Sequence, residues 1–508
     1  MQTFLQGTAI LLAANIFNRA LGFIYQIVMM RLITPEGVGL FNIAFPIYVL
    51  IMVAASMGIP TAVAKLVAEE IARQNPAGAK KIFRLSLGLV LVLSLSLTGL
   101  AYPAANFLQT WLFPDPRIYW CFLALLPAII IVSVCSVFRG YFQGLQMMGP
   151  TALTQAGEQI VRVMIGLGLA YYLLPQGIEY AAVGISLGVL AGELAGFLFM
   201  LGIYYQKKPL SIIHTSALSN LRLSSKILAL GFPVTLNRFA SSLLCSIEAI
   251  LIPSQLILWG LSTSEATAAY GQFVGISESL LYTPAVITAA MSVALIPAVS
   301  EAAALGNQRL LHYRSEESIR IAFLTGWPMV AVFLVLAPEL CQVLFGYASA
   351  APPLMIMALS GPFIYVNQIL SGILNGLGKP IVPFKSMLLS SLFRIAGLYW
   401  LIPPYGLNGA ALIMAISYFI GAGLNYWGIK NITPLNIHWN SAFIKPLWAS
   451  IICWLVLNWE KSYLLKQNFQ EGAILLFSLL SGGLVYLLAL ILTGGIEKKD
   501  WQRMVFFR

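Results

Sequence analysis

Long apolar runs, each of about 20 residues or more, recur from one end of this sequence to the other. A helix of that length crosses the hydrocarbon core of a bilayer. Hydrophobic residues make up 59% of the 508 residues, and charged residues make up only 9%. Breaks at Pro, Gly and charged clusters divide the chain into about fourteen such spans. The sequence therefore predicts an all-α polytopic membrane protein.

The Lys and Arg residues are distributed unevenly between the two sets of loops. With a cytoplasmic N-terminus, 21 of the 29 lie in loops on the cytoplasmic side, four lie in the opposite loops and four lie inside the spans. Because Lys and Arg accumulate on the cytoplasmic side of membrane proteins, both termini are predicted to be cytoplasmic. The net charge of +11 follows largely from this asymmetry, and it indicates contact with anionic lipid headgroups and not with nucleic acid.

Residues that carry catalysis or bind metals are sparse. The five Cys residues lie in or beside apolar spans without a C-x-x-C pair, and His214, His312 and His438 are far apart in sequence. Neither a zinc site nor a His-based catalytic group follows from these positions. We predict no catalytic residue, no metal site and no cofactor, so the chain is not expected to be an enzyme.

Four arginines lie inside the apolar runs: Arg19, Arg162, Arg238 and Arg394. An arginine at the middle of a membrane costs about 2.5 to 3.5 kcal/mol on insertion scales, so it normally faces a protein interior or a watery cavity and marks a substrate path. The four arginines predict a transporter with a cationic interior suited to an anionic cargo. Because Glu158 precedes Arg162 by four residues on one helix, structural pairing is an equal alternative for that residue.

The chain contains two copies of one pattern. Asn18-Arg19 recurs as Asn237-Arg238, and a glycine-containing series over 140–182 recurs over 372–411. The second copy begins six spans after the first. Because six is an even number of membrane crossings, both copies have the same orientation in the membrane, and together they are expected to enclose a central cavity. We predict the following organisation: a first lobe at 1–206, a cytoplasmic linker at 207–226, a second lobe at 227–430, and two further spans with a cytoplasmic tail at 431–508.

One face of the first span is polar. Its members recur at helical spacing: Asn15, Asn18, Arg19, Gly22 and Gln26. The seventh span repeats such a face around Asn237 and Arg238. Both faces are expected to line the cavity, although polar stripes in membranes also join helices through hydrogen bonds.

The intramembrane acids equal the intramembrane arginines in number. They are Glu158, Glu193, Glu248 and Glu278. An interior in which every arginine is paired with an acid therefore stays open as an alternative. If some of the acids are unpaired, Glu248 and Glu278 are candidates for binding a coupling cation or proton. The sequence leaves coupling to H⁺, to Na⁺ or to the membrane potential open.

The order of several motifs resembles that of a known family. The motifs are the series 18–23 (NRALGF), 31–41 (RLITPEGVGLF), 57–60 (MGIP) and 139–144 (RGYFQG). The chain resembles the stage V sporulation protein B group of polysaccharide exporters. That group belongs to the multidrug/oligosaccharidyl-lipid/polysaccharide (MOP) flippase superfamily, which also contains the MATE-like transporters and the MurJ-type lipid II flippases.

This resemblance implies two six-helix lobes followed by two C-terminal helices. It also implies alternating-access transport of an undecaprenyl-pyrophosphate-linked saccharide from the inner to the outer leaflet of a bacterial plasma membrane. The implied cargo is the peptidoglycan precursor lipid II, with use in the spore cortex. Partners implied in this way are the lipid-linked anionic saccharide, membrane lipids and cell-wall synthesis proteins, and the chain itself is expected to be a monomer.

Arg19 matches the first-span arginine that MurJ-type proteins direct at the pyrophosphate of their cargo, a group that suits a planar bidentate donor. MurJ-type proteins usually add further basic residues in the first two spans, where this chain has Tyr25 and the uncharged series 46–51. The residues expected to bind substrate are Asn18, Arg19, Gln26, Arg162, Asn237, Arg238 and Arg394.

A cation-coupled multidrug antiporter of the same architecture is the alternative function. A site for organic cations should carry unpaired carboxylates and aromatic faces, whereas Arg19 and Arg238 favour an anionic cargo. A membrane-embedded glycosyltransferase or sugar polymerase is disfavoured, because the loops on the outside are short and their acids are scattered.

Overall fold

Helices make up the regular structure of the described chain. The computed structural model describes residues 4–207, 220–433 and 437–495, and within these ranges it contains no strand. Contacts divide the chain into two units, Met1–Gly271 and Gln272–Arg508. Residues 208–219 of the predicted linker and 496–508 of the predicted tail lie outside the described residues. The lobe boundaries inferred from the sequence repeat stay predictions.

The helices of the first unit follow one another with short connections. They are α1 (Phe4–Ser56), α2 (Ile59–Ala72), α3 (Pro76–Trp111), α4 (Ile118–Gly144), α5 (Met148–Leu173), α6 (Ile178–Lys207), α7 (Asn220–Leu258) and α8 (Thr263–Gln272), which ends at the unit boundary. A 3₁₀ turn at Leu174–Gln176 joins α5 to α6.

The second unit combines α-helices with π-helical segments. Its α-helices are α9 (Ser279–Tyr282), α10 (Ala285–Ala304), α11 (Gln308–Leu340), α12 (Ala351–Ala358), α13 (Gly361–Gly376), α14 (Ile381–Lys430), α15 (Lys445–Lys466) and α16 (Glu471–Leu492). The π-helical segments are Phe273–Glu278, Cys341–Phe345 and Asn440–Ile444, and a 3₁₀ turn lies at Ala348–Ala350.

The predicted spans are present as helices that can cross a membrane. In the described chain, 10 helices are long and apolar enough, and α12 with α13 forms a further pair bent by 54°. Two of the ten, α1 and α14, each contain two predicted spans joined at a kink. Helix α5 is 26 residues long, which is also sufficient to cross. The all-α architecture of about fourteen spans is therefore confirmed.

Two local signals explain the kinks. Thr34 in α1 has a non-helical φ of 61° and ψ of 166°. Pro35 follows it, and a proline disfavours the helical conformation in the residue before it and has no amide hydrogen of its own. Gly406 in α14 has φ 59° and ψ −140°, a conformation that a residue with a side chain rarely adopts.

The eighth predicted span differs from its expectation. The sequence predicts one helix over 267–297, but the structure has α8, a π-helical segment, the four-residue α9, and then α10. Pro284 lies at the junction of α9 and α10, where it cannot donate a backbone hydrogen bond. The span is therefore broken into pieces instead of running straight.

Glycines allow α5 and α6 to pack closely. A Cβ added to Gly188 would lie 2.3 Å from the Cα of Gly166, and a Cβ added to Gly192 would lie 2.8 Å from the Cβ of Arg162. Small residues are what permit such separations between membrane helices. Gly192 and Gly196 therefore bring the backbone of α6 against the charged residues of α5.

Candidate functional site

Arg19 and Arg238 are exposed side chains in the first unit. Arg19 lies on α1 and Arg238 on α7, and these two helices pack against each other. Neither side chain makes an ion pair or a hydrogen bond with any residue in the described part of the chain. A guanidinium within a membrane protein needs a compensating group, so both arginines are available to an anionic ligand.

The polar residues predicted beside these arginines lie in different environments. Asn18 is half-buried, and its Oδ1 has no hydrogen-bond partner among the described residues. Asn237 is exposed, and Gln26 is half-buried. The polar stripe of the first span also contacts α5, because a Cβ added to Gly22 would lie 3.7 Å from the Nε2 of Gln159. The stripe therefore has one edge packed on α5, while Arg19 stays exposed.

Two glutamates bind Arg162. Its Nη2 lies 2.5 Å from Oε1 of Glu158 and 2.7 Å from Oε1 of Glu193. The Nη2 of Arg139 lies 2.7 Å from Oε2 of Glu158. Helices α4, α5 and α6 therefore meet at two arginines and two glutamates, which we call the charge cluster: Arg139, Glu158, Arg162 and Glu193. The pairing alternative that the sequence left open for Arg162 is the arrangement found.

Arg139 is the member of the charge cluster that sequence reasoning missed. The sequence places it in the loop after the fourth span, but α4 continues to Gly144, and 18% of the Arg139 side chain is exposed. The apolar residues Phe138, Tyr141 and Phe142 continue at helical spacing around it. That continuation is the signal that would have extended the span to include Arg139.

Several buried polar atoms of the charge cluster have no hydrogen-bond partner among the described residues. They are Nε of Arg139, Nε of Arg162 and Oε2 of Glu193. The hydroxyl of Tyr25 on α1 is also buried without a hydrogen-bond partner among the described residues. It lies 2.8 Å from where a Cβ on Gly166 would be, and Gly166 is one helical turn after Arg162. Because buried polar atoms normally have partners, such a group of atoms marks a place for water or for a small ligand.

Arg394 lies in the second unit, on α14, beside aromatic hydroxyl groups. Its guanidinium carbon is 5.5 Å from the centre of the Tyr418 ring, and its Nη2 donates to Oγ of Ser391 at 3.4 Å. The hydroxyls of Tyr418 and Tyr282 are hydrogen-bonded to each other. A cation–π contact contributes about 0.5 to 2 kcal/mol, depending on its exposure. Arg394 therefore has partners inside its own unit.

The two candidate coupling acids lie in different units. Glu248 is buried on α7, and Glu278 is half-buried at the last residue of the π-helical segment Phe273–Glu278. π-Helical turns are frequent at functional sites. Both glutamates interact with other parts of the protein. Ion coupling at these two residues stays a prediction.

An apolar groove of about 290 Å³ lies within the second unit. Its walls come from α11, α13, α14 and the π-helical segment before α15. Aromatic side chains dominate the lining: Phe323, Phe363, Phe419, Tyr426, Trp439 and Phe443. A groove of this composition accepts an apolar chain and offers little to a charged group.

Two family profiles match the chain. The profile described as "Polysaccharide biosynthesis protein" matches residues 4–303. The chain belongs to this family. A second profile, MatE, matches residues 254–400 of this polysaccharide biosynthesis protein family member. Together the two matches extend over both units.

Named relatives of this family member agree with the profiles. Stage V sporulation protein B of Bacillus subtilis (strain 168) is 32% identical over 508 residues, which covers 99% of this chain and 98% of that protein. The solved structure "Lipid II flippase MurJ, inward closed conformation" is similar with a TM-score of 0.73 at 16% identity, covering 94% of this chain and 97% of that one. An inward-facing multidrug resistance MATE family transporter of the MOP superfamily is similar with a TM-score of 0.66 at 17% identity, covering 82% and 94%.

These matches confirm the resemblance to the stage V sporulation protein B group and the MATE- and MurJ-like fold. The polysaccharide biosynthesis family member is a multi-pass membrane protein with the fold of a MATE family transporter and of the lipid II flippase MurJ. The substrate-binding roles of individual residues stay predictions.

Proposed function

We propose that the protein is an alternating-access flippase that moves an anionic, lipid-linked saccharide from the inner to the outer leaflet of a bacterial plasma membrane. The proposed cargo class is an undecaprenyl-pyrophosphate-linked saccharide, with lipid II for the spore cortex as the first candidate. One observation carries this proposal: Arg19 and Arg238 are exposed on two packed helices, and neither has an acidic partner in the described chain.

The chemistry of arginine suits this cargo. A pyrophosphate presents several oxygens with negative charge, and the guanidinium offers two parallel N–H donors to such a group. A positively charged drug would be repelled by the same two side chains. The name of one relative, lipid II flippase MurJ of Bacillus subtilis (strain 168), supports the same class of cargo, and the name stage V sporulation protein B supports a use in sporulation.

The apolar groove of the second unit supports a lipid tail on the cargo. It is lined by aromatic and aliphatic side chains, and its volume of about 290 Å³ accommodates a section of a polyprenyl chain. In the orientation predicted from the Lys and Arg distribution, the groove is expected on the cytoplasmic side, because Tyr426 and Trp439 flank a loop that the same rule places in the cytoplasm.

Translocation of fluorescent lipid II in proteoliposomes tests the proposal. Arg19→Ala and Arg238→Ala should each slow translocation about 10- to 150-fold, because hydrogen bonds to a charged group contribute about 1.5 to 3 kcal/mol. Arg73→Ala is the matched control, since this arginine follows the last residue of α2, is 68% exposed and binds Glu70 at 3.6 Å. We expect the control to translocate at the wild-type rate.

Arg19→Lys separates charge from geometry. Lysine keeps the positive charge but loses the planar pair of donors, so translocation should fall between that of the wild type and that of Arg19→Ala. Wild-type rates in both alanine variants would overturn the role of the two arginines. Failure of the folded wild type to move lipid II, together with export of organic cations by the same vesicles, would favour the antiporter alternative.

A further inference from the structure

We propose that the charge cluster of the first unit is a proton-binding site, and that Glu193 is the residue that takes up and releases the proton. The site is distinct from the exposed arginines and from Glu248 and Glu278. The proposal deepens the proposed transport function, and it rests on that function only where proton binding is linked to the cargo.

The geometry begins at a single nitrogen. The Nη2 of Arg162 binds Oε1 of Glu158 at 2.5 Å and Oε1 of Glu193 at 2.7 Å. This nitrogen carries two hydrogens, so these two contacts use both of them. Two carboxylates held at one nitrogen repel each other, and a shared site of this kind favours a state in which one of the two carries a proton.

The two carboxylates are not compensated equally. Glu158 receives a second guanidinium, because Nη2 of Arg139 binds its Oε2 at 2.7 Å. Glu193 makes one ion pair in the described chain, with Arg162 through Oε1, and its Oε2 is a buried atom without a hydrogen-bond donor among the described residues. A carboxylate with fewer donors is stabilised less in its ionised form. The proton therefore belongs to Glu193.

The site is buried, and several of its polar atoms have no hydrogen-bond partner among the described residues. Glu193 is 7% exposed and Glu158 is 8% exposed. Besides Oε2 of Glu193, the Nε of Arg162 and the hydroxyl of Tyr25 are buried without partners in the described chain. A water molecule that binds such atoms would connect Glu193 to the solvent for proton exchange.

Titratable and charged groups face Glu193 from each neighbouring helix. They are Tyr25 and Tyr48 on α1, Cys135 and Arg139 on α4, and Glu158 and Arg162 on α5. Arginine stays protonated in proteins, and tyrosine and cysteine carry their protons at neutral pH in their ordinary state. The two glutamates are therefore the members of this group that exchange protons most readily.

Proton uptake changes the charge of the site. In the ionised state two guanidinium groups balance two carboxylates, so the cluster is neutral. When Glu193 takes one proton from water, its carboxylate becomes a carboxylic acid and the cluster carries a charge of +1. Release returns that proton to water. A cluster of charge +1 favours binding of an anionic cargo, and by thermodynamic reciprocity the cargo favours proton binding.

Infrared spectroscopy of the purified protein in lipid nanodiscs tests the site without any cargo. A protonated carboxyl group has a C=O stretch that a carboxylate lacks, and a buried carboxylic acid absorbs at higher frequency than one in water. Acidification of the wild type should produce this high-frequency band. Glu193→Gln should abolish it, because glutamine has the shape of protonated glutamate without the titrating proton.

Two further variants keep the test decisive. Glu301→Gln is the matched control, because Glu301 is 60% exposed and binds Arg314 at 3.0 Å, and this variant should keep the band. Glu193→Asp retains a carboxyl group on a shorter arm, so its band should be present and shifted. A band at the wild-type frequency in Glu193→Gln, or an unshifted band in Glu193→Asp, would overturn the proposal. Absence of the band from the wild type would overturn it as well.

The infrared experiment and the transport experiment test the proton site and the proposed function independently. A high-frequency band assigned to Glu193 in a protein that moves no lipid-linked saccharide would retain the proton site and overturn the proposed function. Translocation of the saccharide by a protein without this band would retain the function and overturn the proton site.

Discussion

Arg162 and Glu193 are separated by 31 residues in the sequence, and a 2.7 Å ion pair between them joins α5 to α6. This contact distinguishes Arg162 from two of the other three intramembrane arginines. Arg162 is held by acids of its own unit, whereas Arg19 and Arg238 are exposed and make no ion pair within the described chain. The structure therefore places Arg162 in the interior of its unit, and a substrate role for Arg19 and Arg238 stays a prediction.

Removal of the Arg162 side chain should destabilise the protein strongly. Arg162→Ala leaves Glu158 with only Arg139 and leaves Glu193 without a cation, and breaking a buried ion pair costs about 3 to 5 kcal/mol. The measurement is the thermal unfolding midpoint of the purified protein in one detergent. The Arg73 side chain is 68% exposed and lies 3.6 Å from Glu70, so Arg73→Ala should change stability by about 1 kcal/mol or less. Equal shifts in the two variants would contradict the prediction.

A methyl group at Gly188 should push α5 and α6 apart. The added Cβ would lie 2.3 Å from the Cα of Gly166, and overpacking of this kind costs about 1 to 3 kcal/mol. Gly202→Ala on the same helix is the control, because a Cβ there has nothing within 4 Å. That substitution should be neutral or stabilising by up to about 1 kcal/mol through helix propensity. The thermal unfolding midpoints of the two variants are compared with that of the wild type. A wild-type midpoint for Gly188→Ala would argue against close packing of α5 and α6 at this position.

Filling the apolar groove should impair transport of long lipid tails. Gly423 lines the groove, and a Cβ added there has nothing within 4 Å, so Gly423→Leu narrows the groove without a clash at Cβ. We expect slower translocation of a saccharide on a full-length polyprenyl carrier than of the same saccharide on a short one. Gly99→Leu, at an equally open position on α3, should leave both rates unchanged. If Gly423→Leu slows translocation on both carriers equally, the groove does not bind the lipid tail.

The start of α8 should loosen at acidic pH. Glu265 precedes the eighth predicted span, and its carboxylate accepts hydrogen bonds from the hydroxyl of Ser262 at 2.7 Å and from its backbone N–H at 2.9 Å. These bonds, that from the hydroxyl first, lower the pKa of Glu265 below its ordinary value. The stabilisation is therefore present above the ordinary pKa of glutamate and is lost as the pH falls through the lowered value.

Hydrogen exchange of the first-turn amides of α8, corrected for the intrinsic rate at each pH, measures this effect. Protection should fall at acidic pH in the wild type. In Glu265→Gln residue 265 no longer titrates, so the loss of protection should be smaller than in the wild type. Glu36 and Asp115, which accept hydrogen bonds from the hydroxyls of Ser264 and Thr267, are unchanged in both proteins. A pH-dependent loss of equal size in the variant would show that another group is responsible.

The membrane-spanning helices and the kinks in α1 and α14 were largely predictable from the sequence, because they depend on residues that are adjacent along the chain. An apolar run of about 20 residues forms a membrane helix wherever it occurs. The kink at Thr34 follows from the proline after it, and Gly406 occupies a conformation that requires glycine. The breakage of the eighth span into α8, a π-helical segment, α9 and α10 was not predicted, because an extra residue per turn leaves no strong mark on hydropathy.

The sequence by itself determined that this chain is a polytopic helical membrane protein with arginines inside its spans, since composition and spacing act locally. It also placed Glu158 one turn from Arg162, because residues four apart share a helix face. Only the tertiary structure decided that Arg139 and Glu193 complete the charge cluster and that Arg19 and Arg238 stay exposed. Those outcomes depend on which helices pack together and at what rotation, and the close contact of α5 with α6 at Gly188 and Gly192 sets that rotation for the charge cluster.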